Sequence, residues 1–145
     1  MYRSIIAALV LATAVVPTAR AQDASGALTV QLSGLEPQGA VMIQIFASET
    51  AYAAGQAASA QRVVVDGATE EARFEGLAPG QYAVRLFHDV NGDGRFNTNP
   101  FGIPTEPFAF SNNARGTFGP ASWSQAAFAL NAGENTQAIA VGGGQ

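Results

Sequence analysis

The sequence predicts an all-β protein: an antiparallel β-sandwich of about seven strands with one short helix and a long ordered loop, filling residues 27–141. Three observations carry that expectation. Several segments alternate apolar and polar residues with a period of two, the signature of a half-buried strand. Turn-forming pairs such as Asp66-Gly67 and Pro79-Gly80 separate them at spacings short enough for a sandwich. One alanine-rich segment alone has helical character. A small closed barrel is the alternative arrangement of the same strands.

In "ALTVQLSGL" the residues Leu28, Val30 and Leu32 share one side, and Thr29, Gln31 and Ser33 the other. "EPQG" is turn chemistry. "AVMIQIFAS" sets Val41, Ile43 and Ile45 in one phase and Met42, Gln44 and Phe46 in the other, so both of its faces are expected to be covered. Ser48 ahead of Glu49 and an alanine run predicts a short capped helix, weakened by Gly55. "QRVVVDG" is a β-branched strand, and "EARFEGL" alternates Ala72 and Phe74 against Arg73 and Glu75.

The following strand, "GQYAVRLFHD", points Tyr82, Val84, Leu86 and His88 one way and Ala83, Arg85 and Phe87 the other. Pro79 presets φ for the turn before it, and Gly80 is expected to supply the positive φ. This strand, "L-x-P-G-x-Y" turn, strand pattern resembles the prealbumin-like and immunoglobulin-like sandwiches of extracellular modules. From Asn91 to Trp123 the periodicity stops, for about 30 residues, long for a loop in a compact domain. The stretch holds Phe96, Phe101, Ile103, Phe108, Phe110, Phe118 and Trp123, too much apolar area to leave wet. An excursion packed over one end of the sandwich is therefore expected. "AAFAL" and "TQAIAV" follow as the last strands, around an "NAGEN" turn.

The N-terminus reads as a targeting segment. Arg3 precedes an uncharged apolar run from Ile5 to Val16, and Ala19-Arg20-Ala21 is the small-x-small pattern that a signal peptidase accepts. The run is about 12 residues, short of the roughly 20 needed to cross a bilayer. Cleavage after Ala21 is expected, then a flexible leader over 22–26 and a flexible tail over 142–145. The product is expected to be exported, periplasmic or secreted, without stable membrane insertion. Losing Arg3 and Arg20 would leave five basic and eleven acidic side chains, a net charge of −6. That balance disfavours nucleic acid and anionic membrane surfaces. With no cysteine, disulfides, thiol catalysis and thiolate metal sites are excluded.

"FHDVNGDGRFN" is the segment with the most chemistry. Aligned to a calcium loop it offers Asp89, Asn91 and Asp93 as oxygen ligands, Gly94 at the fold-back position, Arg95 through its carbonyl, and Asn97. Position 12 is Pro100 rather than a bidentate glutamate, and no helical pattern flanks the loop, so this is not an EF-hand. Glu106 could complete the shell. Calcium is the candidate cofactor, at an affinity near 10⁻⁴–10⁻³ M, roughly that of extracellular modules. Turn chemistry alone also explains these residues, because Asn91-Gly92 and Asp93-Gly94 are both strong turn pairs. A hydrolase built on His88 and Asp89 is an alternative, with Ser111, Ser122 and Ser124 available but no Gly-x-Ser-x-Gly elbow. A structurally bonded His88 competes with it.

The second half of the loop, "NPFGIPTEPFAFSNNARGTFGPASWSQAAF", adds the Asn112–Asn113 pair, able to cap backbone groups or accept a ligand. Gly102, Ile103, Pro104 and Glu106, then Phe110, Ser111, Asn112, Asn113, Ala114, Gly116, Phe118, Gly119 and Pro120, resemble the bacterial family called domain of unknown function 2141. The resemblance extends from about Leu28 to Val141 and departs at Pro107, where glycine is expected. It implies a small, exported, β-rich domain and brings no reaction with it. The expected function is therefore a non-enzymatic binding module that works through residues 89–123, toward a protein or carbohydrate partner. His88, Glu106, Asn112, Asn113 and Trp123 are its candidate ligand contacts. A structural envelope or matrix role is the remaining alternative.

Overall fold

The computed structural model describes residues 24–142. The expected signal peptide and nearly all of the expected tail lie outside them. Eight strands form two sheets. In chain order they are β1 (Gly26–Ser33), β2 (Ala40–Phe46), β3 (Ser59–Val64), β4 (Thr69–Leu77), β5 (Gly80–Asp89), β6 (Phe108–Phe110), β7 (Phe128–Leu130) and β8 (Gly133–Ala140). Two short helices accompany them, α1 (Glu49–Ala54) and α2 (Trp123–Ala126), with a single 3-10 turn at Ser111–Asn113.

One sheet has the order β4-β1-β8 and the other β3-β2-β5-β6, with β7 also on β5. The pairs are antiparallel except β1 with β8, which run parallel from Gly26↔Gly133 to Ser33↔Ala140. The two sheets face each other across a core of Leu28, Val30, Ile43, Ile45, Val84 and Leu86, with Ile139 and Phe74. Each of these sits at the inward position of its strand's alternation, so the period-two pattern sets the packing. The all-β sandwich read from the sequence is the fold observed.

Three details differ from the reading. The strands number eight because β6 lies inside the stretch read as one long loop. Three residues, "FAF", give no periodicity to detect. The segment before β7 is helical at Trp123–Ala126, started by Ser122 in a capping box with Gln125. Gly80 opens β5 without a left-handed φ; Gly76 carries one instead (φ +69). The helix α1 matches its expected cap, with Ser48 Oγ accepting from the Ala51 amide at 3.2 Å, and Gly55 (φ +67) ends it.

The outer face of the larger sheet carries a second apolar cluster of Phe46, Tyr52, Ala83, Phe110, Ala121 and Ala126, with Trp123 and Phe108 at its margin. Thus β2 and β5 are buried on both faces, as Phe46 and Ala83 require. The long segment covers this outer face, rather than an end of the sandwich. Its ladder contact is completed by a side chain. On one edge of β5, Gly80–Tyr82 pairs with β7 and Arg85–Phe87 pairs with β6. Between them the Val84 amide donates to Ser111 Oγ at 2.9 Å, and that hydroxyl donates to the Ala126 carbonyl. A buried serine therefore fills the gap in the ladder where no backbone partner is present.

Candidate functional site

The turn after β5 closes on itself through Asp89. The residue is fully buried. Its Oδ1 accepts the amides of Gly92 (2.8 Å) and Asp93 (3.1 Å), and its Oδ2 accepts that of Gly94 (2.8 Å). Gly92 and Gly94 adopt φ of +74° and +76°, which lets three successive amides turn toward one carboxylate. Further out, Asp93 Oδ1 accepts the Arg95 amide at 2.8 Å and Oδ2 accepts Asn97 Nδ2 at 3.1 Å. Asn91 Nδ2 donates to Asn97 Oδ1 at 3.2 Å. These bonds, that of Asn97 first and the Arg95 amide next, hold the Asp93 carboxyl below its ordinary range.

The candidate calcium ligands Asp89, Asn91, Asp93, Arg95 and Asn97 are thus brought together in one connected turn, held by hydrogen bonds among its own groups. Amide N–H groups point at both carboxylates, as turn chemistry alone explains, and a carboxylate that accepts such bonds keeps lone pairs for a cation. Among the described residues no three or more His, Cys, Asp or Glu side chains gather as a metal group would require. Glu106, buried beside the turn, accepts the Asn97 amide through Oε2 at 3.0 Å, while its Oε1 is buried without a donor.

The other candidate contacts separate. His88 is buried, and its Nε2 lies 2.8 Å from the Gln38 carbonyl, which ties β5 to the turn before β2. Ser111 faces β5 and α2. Asn112 and Asn113 take left-handed φ of 59° and 49° and hold backbone. Asn112 Nδ2 donates to the Ala127 carbonyl at 2.8 Å. Asn113 accepts the Ala140 amide at 2.8 Å and donates to the Ala138 carbonyl at 3.1 Å, imitating a strand beside β8. Trp123 packs edge-on against Tyr52, 5.9 Å between ring centres.

The open feature is a cleft of about 650 Å³ on the outer face of the larger sheet. Cross-strand register builds its floor. Gln44, Arg85 and Phe110 form one row, and Phe87 and Phe108 belong to the next. Phe96 folds back over the floor, 5.3 Å from Phe87 and 5.9 Å from Phe108. Thr98, Gly102, Pro104, Gly119 and Pro120 complete the lining. The cleft lies where the two covers of this sheet face leave a strip open.

Its margins are apolar and wet. Phe101 is 88% exposed, Ile103 59% and Phe118 106%. They neighbour the lining glycines, Phe101 and Ile103 on either side of Gly102 and Phe118 just before Gly119. The expectation that all the loop aromatics are packed away is corrected here: Phe110 is buried and Phe108 and Trp123 partly so, while Phe96, Phe101 and Phe118 are exposed, as is Ile103. Phe118 has φ +65°, a conformation that bulky side chains rarely adopt.

Sequence reading missed Arg85 and Gln44. The signal was present: Arg85 is a charged residue in mid-strand, on a face where its neighbours Ala83 and Phe87 are apolar.

Residues 30–138 match the family described as uncharacterized protein conserved in bacteria, domain of unknown function 2141, and the chain belongs to that family. No curated protein and no solved structure matches it.

Proposed function

We propose that this family member is a non-enzymatic binding module that acts after export and takes a small apolar ligand in the cleft on the outer face of its larger sheet. The observation that carries the reading is the cleft itself, about 650 Å³, floored by a rigid sheet and bordered by three exposed apolar side chains. Small-molecule sites span roughly 300–1,000 Å³ and are mostly apolar with a few polar groups. A contiguous wet apolar surface on a soluble domain marks an interaction site. Such a lining favours an apolar small molecule over the carbohydrate or protein partner that the sequence suggests, since sugars need many aligned polar groups. His88 and Asp89 are both buried and bonded to backbone, which supports a structural role for them over hydrolysis.

The test uses the fluorescent apolar probe N-phenyl-1-naphthylamine. The purified protein should raise its emission saturably. Thr98→Trp, an exposed lining position filled with an indole, should abolish the rise while the melting temperature holds. A protein that leaves the probe dark sinks the binding reading.

A second reading rests on Glu106. A calcium ion, or a water, at its unpaired Oε1 would satisfy the buried oxygen. Calorimetric titration with calcium, against Asp93→Ala and Glu106→Gln, decides it. Heat that disappears in both variants supports the ion, and a flat isotherm for the unaltered protein retires it.

A further inference from the structure

We infer that the ligand of this cleft is an amphipathic anion, its head paired with Arg85 and its apolar body laid along Phe87, Phe96 and Phe108. The inference rests on the binding reading above and adds the ligand's charge and direction.

Arg85 is half-buried on the cleft floor. Its Cζ lies 4.7 Å from the centre of the Phe46 ring and 5.8 Å from that of Tyr52. Its Nη2 donates to Gln44 Oε1 at 3.1 Å. The Phe46 ring lies against the guanidinium and Gln44 takes one N–H of Nη2, so the other N–H groups have no protein partner among the described residues and fit a carboxylate or phosphate. Gln44 and the two rings fix the group's position, so little freedom remains to be lost on pairing.

Among the described residues no acid pairs with Arg85. Both ion pairs among the described residues belong to Arg73, with Glu75 and Glu134 on the other sheet. In the free protein, water can serve the remaining donors. A ligand that fills the cleft strips that water away. A wholly apolar ligand would leave buried cationic N–H groups unpaired, which is costly. A ligand with an anionic head replaces the water with charge-assisted bonds. Cleft shape and charge therefore select together: an apolar body for the phenylalanines, and one anionic group for the arginine. Phe101, Ile103 and Phe118, exposed and next in the chain to the lining Gly102 and Gly119, add apolar surface near the cleft.

The experiment compares octanoate with octanol on the purified protein, by calorimetry and by displacement of N-phenyl-1-naphthylamine. Octanoate should bind about tenfold or more tightly, the scale set by a hydrogen-bonded charge. Arg85→Gln should erase the preference, and Arg85→Lys should retain part of it. Melting curves confirm that each variant is folded. If Arg85→Gln fails to fold, the two probes on the unaltered protein and on Arg85→Lys still decide the matter. Equal affinity for both probes overturns the anionic assignment and leaves the binding reading standing. Binding of neither overturns both. A preference for octanoate that survives in a folded Arg85→Gln places the head elsewhere and overturns the assignment to Arg85.

Discussion

Two stretches of chain cover the same face of the larger sheet, and they do it differently. Residues 111–127 are fixed from within: Ser111 completes the β5 ladder, Asn112 and Asn113 grip neighbouring backbone, and Ala121 and Ala126 are buried. Residues 90–107 are fixed at their root, by Asp89 and Glu106, while their outer part puts Phe101 and Ile103 into water. The first cover resembles core packed around a fixed sheet edge. The second resembles a rigid bracket that presents a surface. Loops on firm scaffolds are a usual place for recognition, and here the firmness comes from two buried carboxylates, Asp89 foremost.

The hardest blow to that contrast is Asp89→Ala. It removes three charge-assisted bonds to the amides of Gly92, Asp93 and Gly94 and empties the site of a fully buried carboxylate. A loss of about 4 kcal/mol is expected in urea denaturation, with Asp89→Asn intermediate. A loss below about 1 kcal/mol would mean that the bracket is held by something other than its root. Next is Ser111→Ala in the inner cover. The Val84 amide loses its partner at a site closed to water, and about 2 kcal/mol should go with it.

Asn113→Ala is milder, at about 1 kcal/mol, because its bonds lie near the surface and water can replace them in part. Phe101→Ser combined with Phe118→Ser should change stability by no more than about 0.5 kcal/mol, since neither ring is packed, yet weaken the naphthylamine probe measurably. Strong destabilisation by that pair would erase the distinction between the two covers.

The smallest effect is on acid stability. The Asp93 carboxyl is held below its ordinary 3.8 by Asn97 and the Arg95 amide. A group lowered on folding contributes stability above its unfolded value and loses it as the pH falls through the folded one. Unfolding curves from pH 5 downward should therefore be slightly flatter in Asp93→Asn than in the unaltered protein.

Much of this architecture is legible in the sequence. Val30, Ile43, Val84 and Leu86 announce their shared interior by alternation alone, and Phe46 on the opposite phase of β2 announces a second covered face. Ser48 and Gly55 mark the ends of α1. What stayed hidden depends on contacts between distant residues. Nothing in "FAF" says that it pairs with Arg85–Phe87, because three residues carry no period. Ser111 and Asn113 resemble ligand-seeking polar residues until Val84 and Ala140 are placed beside them. The turn at Asp89 shows the reverse limit: its residue types serve a cation or a set of amides equally well, and the sequence does not say that three amides turn onto one carboxylate. Arg85 was visible as an odd charge on an apolar face, but its unpaired N–H groups depend on the neighbours that stack and bond to it.

The parallel alliance of Gly26–Ser33 with Gly133–Ala140 constrains how the molecule assembles. The central strand of the smaller sheet finds its second neighbour at the far end of the described chain, so that sheet cannot be completed from partial lengths of polypeptide. Distant pairings of this kind slow self-assembly, because the chain must close a large circuit before the contact repays it. Until then β1 has one bare edge, a surface on which a chaperone or another nascent chain could dock.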